Sequence, residues 1–72
     1  MEIIKIKDDY IKLGQVLKLS GMCDTGVDAK HLIEDGAVQV NGKTELQRGK
    51  KIRHGDVVSC GGNSVRIETG GL

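Results

Sequence analysis

Phenylalanine and tryptophan are absent from this 72-residue chain, and Tyr10 is its one aromatic side chain. Proteins that hold single-stranded nucleic acid by stacking its bases need aromatic platforms. Holding splayed bases by aromatic stacking is therefore excluded as a main mode, and the core must be built from aliphatics. Proline is absent too, and there is no internal repeat or low-complexity linker. Two cysteines, Cys23 and Cys60, are too few for a disulfide framework. The N-terminus, M-E-I-I-K-I-K-D-D, lacks the long apolar stretch of a signal peptide or membrane helix. A cytoplasmic location, reduced thiols and no membrane association are the expectation.

Catalytic signatures are missing as well. His31, His54, Cys23 and Cys60 stand singly, without a C-x-x-C or H-x-x-x-H pair, so no metal site is expected. Gly61-Gly62 lacks the glycine spacing and lysine of a phosphate loop. Asp8-Asp9 and Glu34-Asp35 are sequence neighbours that point apart, suited to capping and solvation. Nothing marks an activated nucleophile with its base. The chain is expected to be a non-enzyme with no cofactor.

At this length there is room for one small domain with a thin core, burying only about 60% of the surface its unfolded chain exposes. The net charge of +1 names no partner, but its distribution is polarised. Lys43 to His54 holds five Lys/Arg against Glu45, a formal +4. Asp8 to Asp35 holds three lysines against six acids, a formal −3.

Glu2–Lys7 alternates as a strand, with Ile4 and Ile6 on one face. Asp8-Asp9 can cap a first helix from Tyr10 to about Leu19, carried by Leu13, Val16 and Leu17. Asp24-Thr25 caps a second, Gly26 to Asp35, with Ala29, Leu32 and Ile33 on one face and Gly36 as its left-handed stop. Ala37–Val40 reads as a strand and Asn41-Gly42 as a type I′ hairpin turn. Lys43–Leu46 is the return strand, Lys51–Arg53 a short extended piece, and His54-Gly55-Asp56 a turn. Val57–Cys60 and Ser64–Glu68 form a final pair. The expectation is a single domain over residues 1–68 and a frayed tail over 69–72. Helix, hairpin, then cations is a layout for gripping a polyanion.

These residues resemble the S-four RNA-binding domain, or alpha-L RNA-binding motif, from about Tyr10 to Ser59. The resemblance is carried by Lys12-Leu13 and Leu17, then Thr25, Ala29, Lys30, Leu32-Ile33, Gly36, Val38-Gln39-Val40-Asn41-Gly42 and Gly55-Asp56-Val57. Two positions depart from the pattern: Gly14 stands for an Asp, and Gly26 for an Arg that offers a phosphate contact. In exchange Arg48 to Arg53 is unusually basic, as in a compact stand-alone bacterial branch of the family. The resemblance implies an α+β fold, with two short packed helices, a small mostly antiparallel sheet and an added N-terminal strand. It implies binding to structured RNA, ribosomal RNA first and transfer RNA second, in ribosome assembly or RNA metabolism; a monomer is the expectation. The implied contacts are Lys12, Thr25, Lys30, Lys43, Arg48, Lys50, Lys51 and Arg53. Two other readings stand beside it. Gly70-Gly71-Leu72, with the hairpin and Gly-Asp turn, is also compatible with a ubiquitin-like sulfur carrier. A protein-binding adaptor would leave the cations without an RNA role.

Overall fold

Apolar spacing sets the helices in the computed structural model, which describes residues 1–70. Leu13, Val16 and Leu17 share one face of α1 (Leu13–Leu19), and Ala29 and Ile33 share one face of α2 (Gly26–Glu34). All five are fully buried, so each helix is held by its stripe more than by its own short hydrogen-bond ladder. Thr25 caps α2, its hydroxyl oxygen accepting from the Asp28 amide at 3.1 Å. At the other end Gly36 turns left-handed at φ 79°. Its amide reaches the Ile33 carbonyl at 3.1 Å and that of Ala37 reaches Leu32 at 3.0 Å, closing the helix on two otherwise orphaned carbonyls.

The described residues hold seven strands: β1 (Glu2–Ile6), β2 (Tyr10–Lys12), β3 (Val38–Val40), β4 (Lys43–Thr44), β5 (Lys51–Arg53), β6 (Val57–Cys60) and β7 (Asn63–Thr69). Five form one sheet in the order β1-β7-β6-β3-β4, parallel at β1–β7 and antiparallel elsewhere. Val38 and Val40 point inward with Gln39 exposed between them; Val65 and Ile67 do the same around Arg66. With Val58 they meet the helical stripes in one aliphatic core. Asn41 and Gly42 carry φ of 53° and 84° between the paired Val40 and Lys43, the two positive angles of the expected turn.

The remaining strands, β2 and β5, form a separate antiparallel ribbon. Here the structure departs from the expected first helix. Tyr10–Lys12 is extended, because Ile11 pairs across from Ile52 and both turn toward the core. The helix begins only at Leu13, and Asp8-Asp9 do not cap it. Lys12 occupies the cap position without a side-chain bond. The first α1 amides are satisfied instead by a distant loop, Leu13 N–H by the Lys50 carbonyl at 2.9 Å and Gly14 N–H by that of Arg48 at 3.1 Å.

Smaller differences follow the same logic of partners. β1 stops at Ile6, α2 at Glu34 with Asp35 as cap, and β4 at Thr44. Thr69, expected in the tail, pairs with Ile6 and donates its amide to His54 Nδ1 at 3.0 Å. Gly71 and Leu72, the rest of the expected tail and of the carrier-type terminus, lie outside the described residues. Consecutive packed helices replace the single helix between strand pairs that a ubiquitin-like carrier requires. No helix among the described residues is long and apolar enough to cross a membrane.

Candidate nucleic-acid interface

The two-residue period of the ribbon decides its outer face. With Ile11 and Ile52 inward, Tyr10 faces out opposite Arg53, and Lys12 faces out opposite Lys51. Lys51 Nζ lies 4.9 Å from the centroid of the Tyr10 ring, and Arg53 Cζ lies 5.6 Å from it. Cations at such distances are attracted to the ring's negative face, worth about 0.5–1 kcal/mol each at an exposed site. The lone aromatic thus gathers two cations that repel one another.

A second feature lies where α1 and α2 approach the Gln47–Lys50 turn. Lys50 N–H closes that turn on the Gln47 carbonyl at 3.2 Å, and the turn's carbonyls cap α1. Arg48 lies against the helix start because Gly14 has no side chain: a Cβ there would stand 2.9 Å from Arg48 Cγ. The result is an open cleft of 340 Å³. Lys12, Lys18 and Arg48 supply charge, Gly14, Gly26, Ala29 and Gly49 keep the walls low, and Gln15 is the uncharged polar group. No carboxylate lines it. Among the described residues the one ion pair is Arg66 with Glu68 at 2.9 Å, so the ribbon and cleft cations are not neutralised by an acid.

The residues expected from sequence separate into groups. Lys12, Lys51 and Arg53 meet on the ribbon, and Lys12 and Arg48 also border the cleft. Lys43 and Lys50 line a different hollow of 280 Å³ with Glu45 and Asp56. Thr25 has its hydroxyl engaged in the α2 cap beside cleft-lining Gly26. Lys30 is exposed on α2 and borders neither hollow. Sequence reasoning missed Lys18 as a cleft residue, although its i+4 spacing from Gly14 puts both on one side of α1. It also missed that Tyr10 organises cations.

The most family-specific residues do something else. Asn41 Nδ2 donates to Asp56 Oδ1 at 3.0 Å, and Asn41 Oδ1 accepts from Val57 N–H at 2.9 Å. Asp56 Oδ2 takes the Arg53 amide at 2.8 Å. The Asn-Gly and Gly-Asp turns are thereby tied together, and the end of β5 is tied to them. Elsewhere, burial first and then Asp28 and Asp24 push the Cys23 thiol above its ordinary value, which disfavours the nucleophilic thiolate.

The sequence model of the S4 domain family matches residues 4–68. The Escherichia coli (strain K12) protein YbcJ is 38% identical over 61 residues, covering 85% of this chain and 87% of YbcJ. The probable ribosome maturation protein RlbA of Bacillus subtilis (strain 168) is 39% identical over 59 residues, 82% of this chain and 83% of RlbA. The solution structure of Escherichia coli YbcJ, described as revealing an alpha-L motif involved in RNA-binding, superposes with a TM-score of 0.73 at 35% identity. That match covers 94% of this chain and 87% of YbcJ. The 30S ribosomal protein S4e of Thermoplasma acidophilum gives 0.64 at 30% identity, over 83% of this chain and 32% of its own. The helix pair and mixed sheet are the α+β architecture of the alpha-L motif.

Proposed function

The chain belongs to the S4 domain family, and from that premise we propose that it binds structured RNA through the ribbon face and the adjoining cleft. The observation that carries this is the grouping of Tyr10, Lys12, Lys51 and Arg53 on one outward face, with no carboxylate among the described residues paired to its cations. Each cation that meets a phosphate releases condensed counterions, so affinity falls steeply with salt. Arg53 and Arg48 suit bidentate contact with phosphate oxygens, whereas the lysines act as point charges. With one aromatic side chain, recognition rests on the geometry of a helix, bulge or junction.

Ribosomal RNA is the first candidate and transfer RNA the second. The motif in YbcJ, described as involved in RNA-binding, and the ribosome-maturation name of RlbA support a role in ribosome assembly or maintenance, which we assign to a non-enzymatic cytoplasmic monomer. Fluorescence anisotropy against ribosomal RNA fragments and a transfer RNA, across a salt series, tests the reading. Wild type should bind with a log–log salt slope near −3 or steeper, roughly one unit per phosphate contact. A Lys12/Lys51/Arg53→Glu variant with an unchanged circular dichroism spectrum should lose that binding. Negligible, equal binding by both proteins would sink the proposal.

A further inference from the structure

The cleft asks for a ligand that the ribbon does not. The ribbon is an outward face, suited to a continuous phosphate backbone. The cleft is concave, and its 340 Å³ sits at the low end of the roughly 300–1,000 Å³ typical of small-molecule sites. A paired helix is far too wide to enter it. A lone phosphate would need only the three cations and would leave the glycine-walled space beneath them unused.

That space is open by virtue of the sequence. At Gly26 an added Cβ would meet no heavy atom within 4 Å, so the room there is what a side chain would occupy. At Gly14 an added Cβ would press on Arg48. Gln15 offers both a donor and an acceptor, the pattern needed to pair with the edge of a base. Lys12 borders the cleft and stands on the ribbon, so a chain lying on one surface is already beside the other.

Resting on the RNA reading, we propose that the cleft receives one unpaired nucleotide turned out of an RNA helix. Its phosphate meets Lys12, Lys18 and Arg48, and its base edge meets Gln15, while the paired backbone follows the ribbon. The RNA class selected is then a duplex interrupted by a bulged nucleotide. Turning a base out costs least where it is already unpaired, so a bulge is favoured over a matched helix.

Anisotropy with three ligands tests this: a duplex carrying a single-nucleotide bulge, a matched duplex of equal length, and a free nucleoside 5′-monophosphate. Wild type should prefer the bulged duplex by about tenfold, the yield of one charge-assisted contact. Gly26→Leu, which narrows the cleft, should bring the bulged duplex down to the matched one. Gln15→Ala should erase a severalfold part of the preference without touching the start of α2. Equal binding of the two duplexes by wild type, or a preference that survives Gly26→Leu, would overturn the bulge assignment and leave the RNA reading standing. Monophosphate binding as tight as that of the bulged duplex would also overturn it, making the cleft a small-molecule site. Wild type that binds neither duplex would overturn both.

Discussion

The Asn41–Asp56 junction and the β2–β5 ribbon meet at Arg53, yet they are built in opposite ways. The junction uses its polar side chains up: Asp56 accepts from both Asn41 and the Arg53 amide, and Asn41 spans to Val57. The ribbon does the reverse. Among the described residues Lys12, Lys51 and Arg53 have no carboxylate partner, and two of them rest on the Tyr10 ring instead. Saturated polar groups hold a turn in place; unsaturated ones are left for something outside the molecule. The strongest family motifs thus mark the frame, and the surface proposed to bind is written in residues whose spacing is hardly a motif at all.

That division can be broken by experiment. The largest effect should come from Lys51/Arg53→Glu, which should weaken RNA binding by about 100-fold, since like charges facing phosphate cost several kcal/mol. Its melting temperature should stay within a few degrees of wild type, because both side chains are exposed. Next, Asp56→Ala should cost about 2 kcal/mol by removing a charged acceptor from two donors. In a domain this small that is a fall in Tm of about 8–16 °C. RNA affinity measured well below the transition should change by less than about threefold. A folded Asp56→Ala that loses RNA binding as deeply as the ribbon variant would collapse the distinction between frame and surface. Tyr10→Leu sharpens the comparison within the ribbon: loss of its ring should weaken binding about threefold with the fold intact. Lys30→Ala, away from ribbon and cleft, should change affinity by less than about twofold, read by the same titration.

The elements legible in sequence are those whose causes are local. Thr25 and Gly36 bracket α2 within a dozen residues, and Asn41-Gly42 and Gly61-Gly62 each close a hairpin whose strands adjoin them. Tyr10–Lys12 was legible neither as a strand nor as the end of a cap. Ile11 finds Ile52 across 41 positions, and the amides of α1 are satisfied by carbonyls from residues 48 and 50. No window around Tyr10 contains either partner, so Leu13, Val16 and Leu17 extend the helical pattern too far upstream. The site shares that history. Lys51 and Arg53 stand out as cations in the sequence, but their meeting with Lys12 and Tyr10 exists only after the ribbon closes. The cleft likewise depends on Gly14 meeting Arg48, a contact between residues 34 apart.

The parallel pairing of β1 with β7 also dictates when the molecule is finished. Glu2 waits for Val65, and Ile6 for Thr69, each 63 positions downstream. Closing so long a loop must be paid in chain entropy before any contact repays it, which places this pairing late and makes it slow. On a growing polypeptide the helices and the Asn-Gly hairpin can assemble while the first strand still has no neighbour. Ile4 and Ile6 pass that interval without their final cover. β1 is in this way synthesised before, and covered after, the elements it finally adjoins.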